Sequence, residues 1–251
     1  MDRRAALILG GSGGIGLAIA RMLAGEGYSL TIQGRREDRV AAALEELSGA
    51  GGPAPLGIDA NLASEERIAE VVAAHRERWG RMDVLVNSAG VGIGQPVGEI
   101  GAKALDLQVT INLRAAILAT RESLPLLRTA GAGHGEALIV HVSSWAGRYP
   151  PAWLSVYGAT KAALTSFATS TQLEVAGDGI RVTTLSPATV ETEMTAYAQG
   201  TIPADEMLRP EDLSEAVRFL LRTSKHCVIP EIVLGRLGDF GPGAGGPRAD
   251  G

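Results

Sequence analysis

Short aliphatic runs alternate along the chain with longer segments in which apolar side chains recur every three or four residues. The short runs predict β-strands, and the three-to-four-residue spacing predicts amphipathic helices. Between the first two runs, for example, Ile15, Ala18, Ile19, Met22 and Leu23 form one apolar stripe. The seven predicted strands are Ala5 to Leu9, Tyr28 to Gln33, Pro55 to Ile58, Val84 to Asn87, Ala137 to Val142, Ile180 to Leu185 and Val228 to Leu234.

Strands that alternate with helices in this way indicate a parallel sheet that is covered by helices on both faces. Because no linker or internal repeat divides the chain, we predict one doubly wound α/β domain of the Rossmann type, with a seven-stranded, mainly parallel sheet. This domain is expected to occupy residues 1–238. Residues 239–251 are rich in glycine and poor in apolar side chains, so we predict a disordered tail.

The composition narrows the class of protein and its location. Of the 251 residues, 45% are hydrophobic and 20% are charged, and no run of eighteen or more apolar residues occurs. These features predict a globular protein without a membrane span. The first residues, Met1-Asp2-Arg3-Arg4, lead directly into the first predicted strand and lack the apolar stretch of a signal peptide. We therefore expect a cytoplasmic protein.

Charge and cysteine content narrow the classes of partner. The net charge is −5 and the sequence has no basic run, which argues against a nucleic-acid-binding protein. The single cysteine, Cys227, rules out an internal disulfide and a cysteine metal cluster. The four histidines lie far apart in the sequence, so no metal site is predicted. The expected partners are small molecules and further copies of the chain.

The first candidate for chemistry is a glycine-rich segment directly after the first predicted strand. It reads Gly10-Gly11-Ser12-Gly13-Gly14-Ile15-Gly16, and a helix is predicted to follow. Glycine permits a tight turn and the close approach of backbone to a pyrophosphate, whose charge the N–H groups of a helix N-terminus stabilise. A glycine-rich turn without a ligand is the alternative, but the flanking strand and helix favour a dinucleotide site.

The spacing of Gly10, Gly14 and Gly16, G-x-x-x-G-x-G, resembles the short-chain dehydrogenase/reductase family. The resemblance extends over roughly residues 5 to 222 and includes Asn87-Ser88-Ala89-Gly90, which is similar to the N-N-A-G turn of the family. Leu9 stands where the family has threonine, and Ser88 replaces its second asparagine. The resemblance implies cofactor contacts from Gly10, Ser12, Gly13, Gly14, Ile15, Gly16, Asp59, Ala60, Asn87, Ala89, Gly90, Pro187, Val190 and Thr192, together with Tyr157 and Lys161.

The end of the second predicted strand indicates which nicotinamide cofactor the chain uses. An NAD enzyme usually has an acidic residue there, which binds the ribose hydroxyls and would repel a 2′-phosphate. Gly34 stands in that place, and Arg35 and Arg36 follow it. A solvated surface pair is the alternative, but cations at the start of a helix are disfavoured by its dipole. We therefore expect NADP(H), with Arg35 and Arg36 contacting the phosphate.

The catalytic residues are expected on one helix and on the strand before it. Tyr157 and Lys161 are four residues apart, so a helix places them on one face. The ammonium group would favour the phenolate and bring the tyrosine closer to working range. The resemblance implies that Ser144 hydrogen-bonds the substrate carbonyl, and that Asn112 holds a water of the proton relay. An apolar pocket is predicted from four side chains between the catalytic serine and tyrosine, Trp145, Tyr149, Trp153 and Leu154, with packing in the core or in a dimer contact as the alternative. The loop of about residues 193 to 210, which contains Met194, Tyr197 and Met207, is expected to close over the substrate.

The predicted reaction is the reversible, NADPH-driven reduction of a ketone or aldehyde, with Tyr157 as the proton donor. A 3-oxoacyl-thioester reductase and a non-catalytic NADP-sensing protein are the alternatives; an epimerase would need a second domain. The helices predicted around Ala104 to Leu127 and Val156 to Val175 are apolar on more than one face, so a homodimer or homotetramer is expected.

Overall fold

Seven parallel strands form a single sheet, and each strand coincides with one of the predicted aliphatic runs. The computed structural model describes residues 3–49, 52–198, 202–237 and 239. The last strand begins three residues later than predicted, directly after Pro230, which has no N–H to donate to a ladder. The strands are β1 (Ala5–Leu9), β2 (Ser29–Gly34), β3 (Leu56–Asp59), β4 (Val84–Asn87), β5 (Ala137–Val142), β6 (Ile180–Pro187) and β7 (Glu231–Leu234).

The strand order is β3-β2-β1-β4-β5-β6-β7, which confirms the Rossmann-type α/β fold. At the carboxyl end of β1, Leu9 pairs with Gln33 on one side and with Asn87 on the other. The chain therefore changes direction across the sheet between β1 and β4. In doubly wound folds, ligands bind at the carboxyl ends of the strands at this switch point.

Helices cover both faces of the sheet, because successive strand residues point to opposite sides. Ile8 packs in the core layer that contains α1 and α7, whereas Leu7 and Leu9 pack in the layer of α3, α5 and α6. Both layers consist largely of aliphatic side chains. The helices are α1 (Gly14–Gly25), α2 (Glu37–Ser48), α3 (Glu65–Trp79), α4 (Ala102–Val109), α5 (Ala115–His134), α6 (Ser155–Val175) and α7 (Pro210–Arg222).

One turn of π-helix, Thr110–Arg114, joins α4 to α5. The sequence predicts one helix over Ala104 to Leu127, and the structure differs by this wider turn within it. A π-turn accommodates one residue more than an α-turn and therefore changes the direction in which its side chains point. Asn112 lies in this turn and is almost completely buried.

Helix α3 is fixed at both ends. The Ser64 hydroxyl accepts a hydrogen bond from the Arg67 N–H at its start. Near its end, His75 is fully buried, with Nδ1 at 2.8 Å from Thr31 Oγ1 and Nε2 at 2.9 Å from the Arg81 carbonyl oxygen. Burial lowers the pKa of His75 to about 4, so the imidazole is neutral in the folded protein at pH 7.

The sequence predicts that the chain has no membrane span and that its C-terminal tail is disordered. Among the described residues, no helix combines the length and the apolar character that crossing a bilayer requires. Apart from Asp239, the tail predicted for residues 239–251 lies outside the described residues.

Candidate active site

The turn between β1 and α1 brings backbone rather than side chains to the carboxyl edge of the sheet. Gly10 and Gly14 have φ angles of 75° and 50°, which glycine adopts without strain. A Cβ at Gly16 would collide with the carbonyl oxygen of Gly10. Gly13 is the N-cap of α1 and offers no side chain to the first N–H groups. These N–H groups at the positive end of the helix therefore fit an anion.

Gln33, which the sequence interpretation overlooked, ties this turn to the end of β3. Its side chain is almost completely buried. Oε1 accepts from the Gly10 N–H at 3.1 Å, and Nε2 donates to the Ala60 carbonyl oxygen at 2.7 Å. The neighbouring Asp59 side chain is exposed at the same edge. A polar residue at the end of an otherwise aliphatic strand is the signal that could have revealed Gln33.

Arg35 and Arg36 are both exposed at the end of β2, but they differ in their partners. Arg36 Nη2 lies 3.1 Å from Asp38 Oδ2 in an ion pair. Within the described part of the chain, the Arg35 guanidinium has no hydrogen-bond or ion-pair partner. Arg35 is therefore the one of the two that is available to an anionic ligand without losing an existing contact.

Ser12 lies directly against Gly34. A Cβ at position 34 would lie 2.7 Å from the Ser12 Cβ and 2.7 Å from Val40 Cγ2, and closer still to the Ser12 hydroxyl. Real Cβ atoms do not approach other atoms so closely. The residue in the glycine turn thus fills the space in which an acidic side chain at position 34 would begin.

The turn after β4 packs on the glycine turn and reaches the interior through Asn87. A Cβ at Gly10 would lie 2.7 Å from the Ala89 nitrogen, so the two turns touch. The buried Asn87 amide nitrogen lies 3.4 Å from Thr120 Oγ1 and 3.2 Å from His141 Nδ1. His141 is also buried, and burial together with the nearby Lys161 charge lowers its pKa to about 3. The side chain of Asn87 therefore points towards α5.

Tyr157 and Lys161 lie one turn apart in α6, as the sequence predicts. The Lys161 Nζ donates to the Val142 carbonyl oxygen at 2.8 Å and lies 5.7 Å from the centre of the Tyr157 ring. Lys161 is only 4% exposed, and burial lowers its pKa to about 8. At pH 7 roughly nine-tenths of the molecules still carry the ammonium charge.

Asn112 reaches the same region from the π-helical turn. Its Oδ1 accepts from the Val91 N–H at 2.7 Å, and its Nδ2 donates to the Val91 carbonyl oxygen at 2.9 Å and to Thr160 Oγ1 at 3.1 Å. A Cβ at Gly90 would lie 3.4 Å from both Asn112 Oδ1 and Lys161 Nζ. The side chains of Asn112 and Lys161 therefore both border Gly90.

Ser144 ends the segment that follows β5, and its surroundings lie against α6. Its Oγ accepts from the Ala146 N–H at 3.1 Å, which starts the 3-10 turn Trp145–Gly147. A Cβ at Gly147 would lie 2.9 Å from the Ala162 nitrogen, so this turn packs closely on the helix that carries Tyr157. The hydroxyl of Ser143, the residue before Ser144, donates a hydrogen bond to the Lys161 carbonyl oxygen at 2.9 Å.

Residues 90–94 run between these groups, with a glycine at every second position. Val91 is bonded to Asn112, and the Ile93 N–H donates to Gln108 Oε1 at 3.1 Å. On the other side, a Cβ at Gly92 would lie 3.7 Å from Tyr157 Cε2 and 4.0 Å from Met194 Sδ. The segment is thus anchored to the α4–α5 helices and leaves room for side chains of α6 and of the loop after β6.

The loop after β6 starts at Pro187 and comes close to the glycine turn. Val190 is buried, and Thr192 Cγ2 would lie 3.2 Å from a Cβ at Gly14. Met194 is exposed, in agreement with the expected pocket, but Met207 is 6% exposed and belongs to the core. The closure of this loop over a substrate stays a prediction. The Tyr197 side chain lies outside the described residues.

A comparison with known protein families shows to which family the chain belongs. The model of the family described as short chain dehydrogenase matches residues 4–202, which is most of the sequence. The chain belongs to this family. It is thus an oxidoreductase by family membership, and the resemblance inferred from the glycine spacing is confirmed.

Three known proteins are similar to the chain over 86% or more of its length. The oxidoreductase asL5 of Sarocladium schorii is 35% identical over 226 residues, which cover 86% of this chain and 88% of that protein. An alcohol dehydrogenase from the archaeon Thermococcus sibiricus, solved in complex with 5-hydroxy-NADP, has a TM-score of 0.86 and 27% identity, with 96% and 99% of the two chains covered. A 3-ketoacyl-(acyl-carrier-protein) reductase from Brucella melitensis, solved with NADH, has a TM-score of 0.83 and 29% identity, with 92% and 96% covered.

Proposed function

We propose that this short-chain dehydrogenase reduces a ketone or aldehyde to an alcohol, reversibly, with NADPH as the cofactor. The observation that carries the proposal is the buried, charged Lys161, which lies beside the Tyr157 ring and shares the Gly90 neighbourhood with Asn112. A buried ammonium group next to a tyrosine is an arrangement for moving a proton at neutral pH. Burial of the ammonium group carries a desolvation cost that its hydrogen bond to the Val142 carbonyl oxygen only partly offsets, which favours a functional role.

The residues around the glycine turn fit a dinucleotide. The uncapped N-terminus of α1 would hold the pyrophosphate, and Arg35 would contact the 2′-phosphate of NADPH. Asp59 would hydrogen-bond the adenine, Lys161 the nicotinamide ribose, and Thr192 with the backbone from Pro187 to Val190 the nicotinamide amide. A bound nicotinamide cofactor supplies the hydride for the reaction.

The protein side chains would supply the proton and the orientation. Tyr157 would protonate the carbonyl oxygen of the substrate, and Ser144 would donate a hydrogen bond to the same oxygen. The Lys161 ammonium would stabilise the phenolate that remains on Tyr157. An unperturbed tyrosine has a pKa of about 10, and a neighbouring positive charge would favour the phenolate of Tyr157. Asn112 would hold a water from which Tyr157 recovers its proton.

The preference for NADPH over NADH rests on charge at the end of β2. Arg35 is exposed and without a partner in the described residues, and no acid precedes it at Gly34. The Thermococcus relative was solved with an NADP derivative and the Brucella relative with NADH, so both cofactors occur among similar proteins. The free guanidinium favours the phosphorylated one here, because a hydrogen bond to a charged group contributes about 1.5–3 kcal/mol.

The test of the function is the oxidation of NADPH in the presence of ketones, followed by absorbance, for wild type and Tyr157→Phe. We expect turnover with wild type and a loss of about 10²–10⁴-fold in kcat for the variant, because only the proton donor is removed. The dissociation constant for NADPH should stay nearly unchanged, since the ring remains. A variant that retains more than about a tenth of the rate would contradict the assigned role of Tyr157.

A 3-oxoacyl-thioester reductase is the second candidate, favoured by the similarity to the Brucella protein. Including an acetoacetyl thioester in the same assay separates the two, because the thioester would then be reduced with a much higher kcat/KM than simple ketones. A non-catalytic NADP-sensing protein would bind NADPH without oxidising it with any carbonyl compound.

A further inference from the structure

Trp153 has an unusual backbone conformation directly before the catalytic helix. Its φ is 64°, which makes it the one described non-glycine residue in the left-handed region. For a bulky residue this conformation is a strained outlier, and such strain persists only where the surroundings hold it. Trp153 lies two residues before the start of α6, so the strained position sets where the Tyr157 helix begins.

The strained conformation lays the indole ring on Gly94. A Cβ at Gly94 would overlap Trp153 Cε3 and Cζ3, so the ring occupies the space that a side chain there would fill. The Gln95 N–H donates to the Trp153 carbonyl oxygen at 2.7 Å. Two contacts thus tie the segment before α6 to the segment after β4. Trp153 as a whole nevertheless remains 46% exposed.

The segment that packs on Trp153 also borders Tyr157. Gly92 faces Tyr157 and Met194, and Gly94 faces Trp153, two positions further along the same segment. Alternate residues of an extended segment lie on one side, about 7 Å apart. A carbonyl group at the Tyr157 hydroxyl would therefore place one of its substituents along Gly92 and Gly94, against the indole.

The wall around this ring carries almost no charge. Residues 90–96 contain no charged side chain, and between Ser144 and Tyr157 the only one is Arg148, which is paired with Glu231. Two exposed side chains of the adjoining segments are also uncharged: Met194, near Gly92, is 45% exposed, and Tyr149, which packs on Trp145, is 56% exposed. An uncharged group fits such a wall, and a planar ring gains additional stacking energy on an indole.

We infer that Trp153 is a specificity-determining residue, which selects uncharged ketones that carry a planar aromatic ring next to the carbonyl group. The inference rests on the proposed ketone reduction and names the substrate class for that same site. Gly94 is part of the same arrangement, because a Cβ at position 94 would overlap the Cε3–Cζ3 edge of the indole.

The experiment compares two methyl ketones of equal carbon number, acetophenone and cyclohexyl methyl ketone, which differ in the planarity of the ring. With NADPH, wild type should favour acetophenone in kcat/KM. Trp153→Gly should lower kcat/KM for acetophenone by about tenfold, chiefly through KM, and change the value for cyclohexyl methyl ketone by less than about threefold. Trp153→Phe keeps an aromatic ring and should recover part of the preference.

A substitution of Gly94 tests the contact between Trp153 and Gly94 from the glycine side, and a substitution of Gly98 serves as its control. Gly94→Ala should displace the indole and reproduce the loss seen with Trp153→Gly, although Trp153 is still present. Gly98→Ala is the matched control, because a Cβ there meets nothing within 4 Å. Trp153→Gly should keep the melting temperature of wild type, since glycine adopts the left-handed backbone without strain, and it should keep the NADPH dissociation constant.

The outcomes separate the inference from the function on which it rests. Wild type that reduces both ketones without favouring acetophenone, or a Trp153→Gly variant that loses the same factor with both, would overturn the role of Trp153 alone. Wild type that binds NADPH but reduces neither these ketones nor any other carbonyl compound of the panel would overturn the ketone reduction itself.

Discussion

Lys161 has an ionisation equilibrium that its burial brings into an accessible pH range. Its pKa is lowered to about 8, whereas an exposed lysine titrates near 10.4. The charged form is present below this value and disappears above it. Because the proposed mechanism and the binding of NADPH both need the ammonium charge, both should weaken as the pH rises through about 8.

We therefore predict that kcat/KM for NADPH, which reports on the free enzyme, falls to about half of its maximum near pH 8 and declines further above it. Lys161→Arg is the informative variant, since a guanidinium does not lose its proton in this range. It should be slower at pH 7 but should lack the decline near 8. A decline at the same pH in both proteins would assign it to another group.

The preference for NADPH should depend more on Arg35 than on Arg36. Arg35→Ala should lower the affinity for NADPH by roughly ten- to a hundredfold and leave the affinity for NADH nearly unchanged. Arg36→Ala should have a smaller effect, because Arg36 is already paired with Asp38. Steady-state kinetics with both cofactors measures this. An Arg35→Ala variant with the wild-type preference would show that Arg35 does not contact the phosphate.

The reverse design, a switch to NADH, needs two substitutions rather than one. Gly34→Asp introduces the acid that binds the ribose hydroxyls, but its Cβ would collide with Ser12. The double variant Gly34→Asp with Ser12→Gly removes the collision with Ser12, leaves only the Val40 methyl group to shift, and should prefer NADH. The single Gly34→Asp variant should instead bind both cofactors poorly.

At the scale of elements, α3 depends on a histidine that must stay neutral. The folded pKa of His75 is about 4 and its unfolded pKa about 6.5, so the unfolded chain takes up the proton first. The contribution to stability is complete above about pH 6.5 and is lost as the pH falls towards 4. The difference corresponds to about 3 kcal/mol in the free energy of unfolding.

Urea unfolding of wild type between pH 7 and pH 4.5 should show this loss, and His75→Gln should show a shallower dependence on pH. The glutamine variant should be less stable at pH 7, because the bonds to Thr31 and Arg81 are weakened. His141, whose pKa is lowered to about 3, contributes a loss of its own and stays in both proteins. Equal pH dependence in the two proteins would contradict the assignment to His75.

The elements differ in how well their sequence predicts them. The seven strands are predictable because each is an aliphatic run between breakers, and every one of them forms. The π-helical turn at Thr110–Arg114 is not predictable in this way, since the apolar spacing continues through it. What makes the turn is the hydrogen bonding of Asn112 to Val91 and Thr160, which are distant in sequence.

In the site, too, local features can be predicted from the sequence, whereas contacts between distant segments cannot. Glycine spacing and the Tyr157–Lys161 interval are local, and a sequence displays them directly. The contact of Ser12 with Gly34 and that of Trp153 with Gly94 join segments from different parts of the chain. Nothing local favours a left-handed tryptophan, because bulky side chains disfavour that backbone, so only the folded structure reveals it.

At the scale of the whole molecule, exposed apolar side chains on α4 and α6 support the expected self-association. Leu105 and Val109 lie one helical turn apart and are both well exposed, and Leu173 on α6 is 80% exposed. We predict that light scattering at micromolar concentration gives a dimer or tetramer of the 26.0 kDa chain. Leu173→Glu should weaken the assembly.

Val97→Glu is the control for self-association, because Val97 is as exposed as Leu173 but lies in a separate 3-10 turn, Val97–Glu99. It should leave the mass unchanged. A stable monomer of 26.0 kDa for wild type would show that the apolar helix faces have another purpose.

The order of strands in the sheet has a consequence for how the chain acquires its structure during synthesis. β2 and β3 add to β1 in the order in which the ribosome makes them, and β5, β6 and β7 add in turn to β4. The pairing of β1 with β4 closes the longest connection among the described strands, from Leu9 to Val84, and the entropic cost of closure grows only slowly with length. Strands β1 to β3, which carry Gly10, Arg35 and Asp59 at their carboxyl ends, are therefore synthesised before Tyr157.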